Sequence, residues 1–293
     1  MSDVIAVLGL GPMGRSLTSA LLRAGRPAVV WNRTPGRAGD LLDRGARWAA
    51  GPAEALEAAS VALICVRNYA AVASFLPVRT STVLVNLTSG RPAEARDLAA
   101  RDLPYLDGAI LSPAPAIGTP AATILCSGPP DLFEQAGPVL RDLAPTTVLV
   151  GADPGAAAAY ETALLDLFAM SVGGLVHAFA MADAEGIAPR SFAPLAKPMA
   201  GLLTEQIDRF AEQLTEGRFP AAISSVASMS STLEHLVDAA DGHDLDSGAL
   251  RALRAIAARA VAAGHGDSGY AALSTVIRDR GGERGDRRPP ARS

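Results

Sequence analysis

The sequence is poor in cysteine and in lysine. Its 293 residues include two cysteines, Cys65 and Cys126, and a single lysine, Lys197. Two isolated cysteines in apolar segments provide neither a disulfide framework nor the spacing of a metal site, so we expect buried, inert thiols. No other grouping of histidine and acidic residues suggests a metal ligand set, and we expect no bound metal.

A surplus of positive charge is also missing, and the first residues lack the pattern of a cleavable leader. The net charge is −4 and the pI about 5.6, which disfavours a nucleic-acid partner. The chain enters a strand-like run by residue 4, without a basic region and an apolar core before it. We therefore expect no signal peptide and a cytoplasmic location. Apolar residues make up 49% of the chain, enough to bury the cores of two domains.

One long apolar run is present. Residues 162–182 are long enough to span a bilayer. The run contains Asp166, His177 and two adjacent glycines, however, and no basic cluster or aromatic belt flanks it. A helix that is apolar all round can also be covered by protein on every side. We interpret the run as such a helix and expect no membrane insertion.

The first half of the chain alternates strand-like and helix-like patterns. Strands are predicted at residues 4–8, 28–31, 61–66, 83–86, 122–126 and 148–150, and helices at 13–23, 37–44, 53–59, 92–100 and 131–142. This alternation predicts an α/β fold with a doubly wound, mostly parallel sheet. From Asp153 only helices are predicted, punctuated by Gly186, Pro189, Pro194, Pro198, Gly217 and Pro220.

These patterns predict two domains. Residues 1–153 form a Rossmann domain, and residues 154–281 form an all-α domain that begins with a long interdomain helix at about 154–185. Residues 282–293 are rich in arginine and lack large apolar side chains, so we expect a disordered tail.

A glycine-rich turn follows the first predicted strand. The run VLGLGPMG places Gly9, Gly11 and Gly14 between a strand and a helix. Such glycines permit a tight turn, close approach of the backbone to a pyrophosphate and close helix packing. The helix N-terminus then faces the phosphate charge. The predicted cofactor-binding residues of this turn are Gly9, Leu10, Gly11, Pro12 and Met13.

The end of the second strand predicts which nicotinamide cofactor is bound. Sites for NAD usually have an acidic residue there, which binds the ribose hydroxyls. This chain has Asn32, followed by Arg33, Thr34 and Arg37. Two guanidinium groups and a hydroxyl suit a 2′-phosphate, and no carboxylate opposes it at that point. We therefore expect NADPH.

Several longer runs resemble the NADPH-dependent imine reductases, relatives of the β-hydroxyacid dehydrogenases. They are GLGPMG, VWNRTPGRA, VNLTSGRPAEAR, YLDGAILSPAPAIGTPAATILCSG, HAFAMADAEGIAPRSFAPLA and ARAVAAGHGD, and the resemblance extends over residues 4–277. It implies a homodimer with intertwined, domain-swapped helical domains and an active site shared between the Rossmann domain and the helices. Such a dimer would cover the long apolar helix.

The resemblance also indicates a catalytic position. β-Hydroxyacid dehydrogenases carry a lysine on the helix after the sheet, and counting from Gly155 places that position on Glu161 and the nearby asparagine position on Leu165. Imine reductases usually have aspartate or tyrosine there. A carboxylate in an apolar pocket can hold an iminium cation and exchange a proton with nitrogen. We predict Glu161 as the catalytic residue and Tyr160 as a second candidate, against the alternative of an ordinary helix glutamate.

Other polar positions are weaker candidates. Val66 ends one predicted strand, and Thr88 and Ser89 follow the next, at the carboxyl edge of the sheet where such folds bind ligands. We assign all three to the cofactor; for Thr88 and Ser89, contact with the substrate or a plain loop role is the alternative. Met229 and Ser230 correspond to a region that lines the substrate pocket in imine reductases, although a buried methionine is also typical of a core.

The sequence thus predicts an oxidoreductase that transfers hydride from NADPH to the carbon of a cyclic imine or iminium ion. Reductive amination of ketones with amines stays open beside it. Two alternatives remain: a hydroxyacid-type dehydrogenase, disfavoured by the missing lysine, and an NADP-binding protein without catalytic activity.

Overall fold

The computed structural model describes residues 4–77 and 79–278. The predicted tail at 282–293 lies outside these residues. The described residues up to Met170 form one compact unit, and those from Ser171 onward form a second. Each unit is described in turn.

The first unit is built on one eight-stranded sheet. Its strands in spatial order are β3 (Arg47–Trp48), β2 (Ala28–Trp31), β1 (Ile5–Leu8), β4 (Val61–Ile64), β5 (Val83–Asn86), β6 (Tyr105–Ile110), β7 (Thr123–Ser127) and β8 (Thr146–Leu149). All neighbouring pairs are parallel except β6 and β7. The predicted doubly wound, mostly parallel sheet is confirmed.

Two of these strands were not predicted. β3 has only two residues and pairs with β2, so it gives almost no periodic signal. β6 contains Asp107 and Gly108 in its centre, which interrupt the apolar run that marks a buried strand. Both residues are buried in the structure, so tertiary packing overrides their low strand propensity.

Helices cover both faces of the sheet. They are α1 (Pro12–Arg23), α2 (Gly39–Asp43), α3 (Pro52–Glu57), α4 (Tyr69–Phe75), α5 (Pro92–Ala99) and α6 (Pro130–Leu143). Alternate residues of β1 enter two different apolar clusters, with Ile5 and Val7 on one face and Ala6 and Leu8 on the other. Burial on both faces is typical of a parallel sheet between helical layers.

A long helix, α7 (Ala156–Ala184), follows the sheet, and four more α-helices follow it within the described residues: α8 (Pro189–Glu216), α9 (Val226–Gly242), α10 (Gly248–Ala260) and α11 (Leu273–Arg278). The prediction that Pro194 and Pro198 interrupt helices is wrong, because both lie inside α8. Each removes one backbone donor, and the 28-residue helix retains enough other hydrogen bonds to continue. Gly217 does end α8, in the left-handed conformation with φ 65°.

Helix α7 is apolar and largely uncovered. Its 29 residues have a mean hydropathy of 1.7 in the most apolar window, and none of that window is buried. By length and composition it is the one helix among the described residues that could cross a bilayer. Phe168, Met170 and Val176 are each about two-thirds exposed. Such an exposed apolar surface is unusual for a monomeric protein.

Candidate functional site

The glycine turn has the geometry that a dinucleotide requires. Gly9 has φ +104°, and a Cβ there would lie 2.0 Å from the carbonyl oxygen of Cys65. A Cβ on Gly14 would lie 1.9 Å from the oxygen of Gly9, so neither position accepts a side chain. At Gly11, by contrast, a Cβ would meet no atom within 4 Å. The open side of the backbone is therefore at Gly11, where α1 begins at Pro12 without an acidic residue in its first turn.

Asn32 connects this turn to the end of β2. Its side-chain oxygen accepts a hydrogen bond from the backbone nitrogen of Leu10 at 3.0 Å, and its amide nitrogen donates to the carbonyl oxygen of Thr34 at 2.9 Å. Asn32 thus shapes the loop that leads to the exposed Arg33 and Arg37.

A cavity of about 490 Å³ lies between the glycine turn and this loop. It is lined by Leu10, Pro12, Arg15, Gly36, Arg37, Gly39 and Asp40. An open backbone at a helix N-terminus, arginines beside it and no carboxylate at Asn32 fit a nicotinamide dinucleotide with a 2′-phosphate. Arg15 and Asp40 were not predicted from the sequence, because they become neighbours only when α1 and α2 pack together.

The carboxyl ends of β4 and β5 are joined by side-chain hydrogen bonds. Thr88 Oγ1 accepts from the backbone nitrogen of Val66 at 3.1 Å, and the backbone nitrogen of Thr88 donates to Asn86 Oδ1 at 3.2 Å. The structure thus places Val66 and Thr88 together at the sheet edge where such folds bind ligands.

Glu161 lies on the second turn of α7 and is 6% exposed. Ser89 Oγ donates a hydrogen bond to its Oε1 at 2.7 Å. Burial raises the pKa of Glu161, and the hydrogen bond from Ser89 partly opposes that rise. Tyr160, the second candidate, is 54% exposed and faces away from this contact. The structure therefore pairs Glu161 with Ser89, two residues for which we predicted separate roles from the sequence.

A second buried acid, Asp107 on β6, lies near Glu161. Its Oδ1 accepts hydrogen bonds from the hydroxyl groups of Tyr69 at 2.6 Å and Tyr105 at 2.8 Å, and from Asn86 Nδ2 at 3.3 Å. Its other oxygen, Oδ2, is one of two buried side-chain atoms in the described residues without a partner. Burial, with a smaller contribution from the charge of Glu161, raises the pKa of Asp107 to about 6, against the lowering effect of the three donors.

Tyr69 extends this network to the loop that carries Ser89. A Cβ on Gly90 would lie 2.4 Å from the ring of Tyr69, so the ring packs directly against the Gly90 backbone. The glycine permits that approach. The Asp107 network was missed in the sequence, although an aspartate within the apolar strand pattern YLDGAIL was a signal of a buried polar group.

The two predicted pocket residues of the second unit lie on α9 and are half-buried. Met229 packs against the apolar cluster around Val226 and Leu233. Its role in a substrate pocket, and that of Ser230, stay predictions. In residues 4–77 and 79–278, no cluster of histidine, cysteine and acidic side chains could hold a metal ion.

The sheet topology and the glycine turn define the class of the protein, a dinucleotide-binding Rossmann fold. Residues 4–151 match the NAD binding domain of 6-phosphogluconate dehydrogenase, and residues 153–279 match the NADPH-dependent reductive aminase-like C-terminal domain. An NADPH-dependent reductive aminase of Aspergillus oryzae is 30% identical over 285 residues, which cover 93% of this chain and 96% of the relative.

Solved structures of the same group are similar throughout. A reductive aminase from Aspergillus terreus, in complex with NADPH4, cyclohexanone and allyl amine, is 29% identical, with a TM-score of 0.88 over 95% of this chain and 100% of that one. An imine reductase from Myxococcus stipitatus, in complex with NADP+, is also 29% identical, with a TM-score of 0.89 over 94% and 99% of the two chains. The chain belongs to the reductive aminase and imine reductase family.

Proposed function

We propose that this protein reduces the C=N bond of cyclic imines and iminium ions, and of imines formed from ketones and amines, with Glu161 as the acid that holds the substrate nitrogen. Family membership makes the protein an NADPH-dependent oxidoreductase that acts on C=N bonds. The observation that carries the role of Glu161 is its burial at the sheet edge, with Ser89 on one of its oxygens.

The residues that would hold NADPH are those of the glycine turn and of the loop after β2. When bound, the cofactor supplies the hydride. We assign the pyrophosphate to the backbone around Gly11 and the N-terminus of α1, and the 2′-phosphate to the cavity beside Arg37, with Arg33 and Thr34 on the same loop. Val66, Thr88 and Met13 complete the proposed cofactor site, because they lie at the same edge of the sheet.

Glu161 can act in both of its protonation states. Ser89 occupies Oε1, and we assign Oε2 to the substrate. An ionised Glu161 holds an iminium cation, and a protonated Glu161 gives its proton to an imine nitrogen. Because burial raises its pKa, a larger fraction of protonated acid is available near neutral pH than for an exposed glutamate.

The same position argues against the rival activity. A dehydrogenase acting on alcohols needs a cation to stabilise the developing charge on oxygen. The chain offers a buried carboxylate instead, and its single lysine, Lys197, is an exposed residue within α8. Imine reduction has no such requirement, since a protonated C=N bond is already electrophilic.

The test is NADPH consumption measured with a cyclic imine, with a ketone plus an amine, and with neither, beside NADP⁺ reduction with a 3-hydroxyacid. We expect turnover with the first two alone. The same assay tests the role of Glu161, because Glu161→Leu should lose most of the imine turnover. Tyr160→Phe is its matched control, because it changes the neighbouring, exposed side chain. Turnover of the hydroxyacid alone would support the dehydrogenase, and no turnover with any substrate would support the inactive NADP-binding protein.

We also propose that the protein is a cytoplasmic homodimer with intertwined helices, divided into domains at residues 1–153 and 154–281. The exposed apolar surface of α7 supports a second copy as its cover. Gly173 and Gly174 give further support. A Cβ on either would meet no atom of the described residues within 4 Å, so no contact there requires a glycine, although each helix glycine costs about 1 kcal/mol relative to alanine. A partner helix could approach closely there.

A further inference from the structure

An acid lies in the cavity to which we assign the 2′-phosphate. The charged residues that line it are Arg15, Arg37 and Asp40. A hydrogen bond from Arg15 lowers the pKa of Asp40, and the charges of Arg15 and Arg44 lower it further, so the carboxylate is ionised at neutral pH. A carboxylate repels a phosphate in the same cavity, and its presence there calls for a physical explanation.

Arg15 supplies that explanation. It lies on the first two turns of α1, directly after the glycine turn, and its side chain is 36% exposed. One guanidinium nitrogen forms an ion pair with Asp40 Oδ1, and another donates to the carbonyl oxygen of Arg37. Arg15 therefore neutralises the acid and links α1 to the loop that carries the predicted phosphate ligands.

We propose that Arg15 is a further specificity-determining residue, which exchanges Asp40 for the 2′-phosphate when NADPH binds. Before binding, Asp40 keeps the guanidinium at the cavity. On binding, the phosphate offers more charge and more acceptor oxygens than the carboxylate, so the planar guanidinium changes partner. Asp40 then lowers the affinity in two ways, because it competes for Arg15 and because it repels the phosphate.

This exchange predicts an order of NADPH affinities. Asp40→Asn removes the competitor and keeps Arg15, so its NADPH should bind about two- to fivefold more tightly than in the wild type. Arg15→Gln removes a phosphate ligand and leaves Asp40 without its neutralising partner, so NADPH should bind at least about tenfold more weakly. The NADPH affinity of the double variant should lie between those of Arg15→Gln and the wild type. In it Asp40 no longer repels the phosphate, but the Arg15 guanidinium is still missing.

The experiment is a calorimetric titration of the four proteins with NADPH and with NADH, repeated with adenosine 2′,5′-bisphosphate and with 5′-AMP. NADH and 5′-AMP lack the 2′-phosphate, so their affinities should stay within about twofold across all four proteins. Arg44→Gln is the control for the loss of one positive charge. Arg44 binds Ser19 Oγ at 2.9 Å and does not line the cavity, so its NADPH affinity should change less than twofold.

Two results would overturn the exchange. If Asp40→Asn lowers the affinity for NADPH, Asp40 holds Arg15 in place and does not compete with the phosphate for it. If Arg15→Gln lowers the affinities for NADPH and for NADH to the same extent, Arg15 supports the loop and does not bind the 2′-phosphate. The inference rests on the use of NADPH in the proposed function, but the titrations contain no imine. Failure of imine reduction and failure of this exchange are therefore distinguished.

Discussion

The two parts of the chain treat polar and apolar groups in opposite ways. The sheet unit buries two carboxyl groups, Glu161 and Asp107, and before α7 it exposes only three large apolar side chains among the described residues: Leu42, Leu111 and Val148. Helix α7 alone exposes nine, and α8 six. The described residues before α7 bury most of their large apolar side chains, whereas α7 and α8 expose many of theirs, and we propose a second copy of the chain as the cover. The buried acids thus carry the proposed chemistry, and the exposed apolar helices carry the proposed association.

We expect the largest effect from a substitution that removes Glu161, the buried acid of the proposed active site. Glu161→Leu should fold, since leucine suits an apolar site, and should bind NADPH through the glycine turn, which the substitution leaves unchanged. Its kcat/KM for a cyclic imine should fall about 10²–10⁴-fold, the usual contribution of a positioned acid. Glu161→Gln should be nearly as poor and Glu161→Asp partly active, while Tyr160→Phe should lose less than either neutral variant. A Glu161→Leu enzyme that retains more than about a third of the wild-type value would reduce Glu161 to an ordinary helix residue.

We expect the next largest effect from a substitution on the exposed apolar surface of α7. Phe168→Asp introduces a charge at a side chain that is 66% exposed, so one folded chain should tolerate it. In a twofold dimer the change occurs twice, and the loss of two buried phenylalanines costs at least about 3 kcal/mol, which weakens the dimer at least about a hundredfold. Sedimentation at micromolar concentration measures this.

Val148→Asp is the matched control, because it places the same charge at an exposed apolar residue of the sheet unit. It should leave the dimer intact. A wild-type protein that sediments as an active monomer would contradict the dimer, and binding of α7 variants to lipid vesicles in proportion to their hydropathy would favour a membrane instead.

The second buried acid should make stability depend on pH. The pKa of Asp107 is raised from 3.8 to about 6 by burial, so its contribution to stability is present below about pH 4 and is lost as the pH rises through 6. A shift of about two units corresponds to about 3 kcal/mol in the free energy of unfolding. Asp107→Asn cannot ionise, and its free energy of unfolding should therefore lack this fall between pH 4 and 7. Denaturant unfolding at several pH values measures the difference. A constant difference between the two proteins would show that Asp107 titrates normally.

We expect the smallest effect from substitution of the exposed arginines in the loop after β2, which we assign to the 2′-phosphate. Replacing Arg33 with Glu and Arg37 with Ala removes two phosphate partners and adds an acceptor for ribose hydroxyls. The KM for NADPH should rise at least about tenfold and the preference should move toward NADH. Circular dichroism should stay unchanged, since both side chains are exposed. An unchanged KM for NADPH would show that this loop does not bind the cofactor.

The sequence by itself determined the features that depend on neighbouring residues. The glycine turn between a strand and a helix, the absence of an acid at Asn32 and each strand-like or helix-like run of the first half lie within short windows. They were sufficient for the sheet type and the cofactor, because backbone conformation and strand periodicity are local properties. The family followed from the resemblance of longer runs over residues 4–277.

Tertiary structure alone decided how distant side chains meet. Ser89 and Glu161 are 72 residues apart and share a hydrogen bond, and Tyr69 reaches Asp107 across 38 residues. Arg15 and Asp40 become an ion pair only because α1 and α2 pack together. β6 forms despite its aspartate and glycine, and α8 continues through two prolines. For the side-chain pairs and for β6 the stabilising free energy comes from partners that no short window contains, so packing overrides what the local sequence prefers. Helix α8 continues because its remaining backbone hydrogen bonds are sufficient.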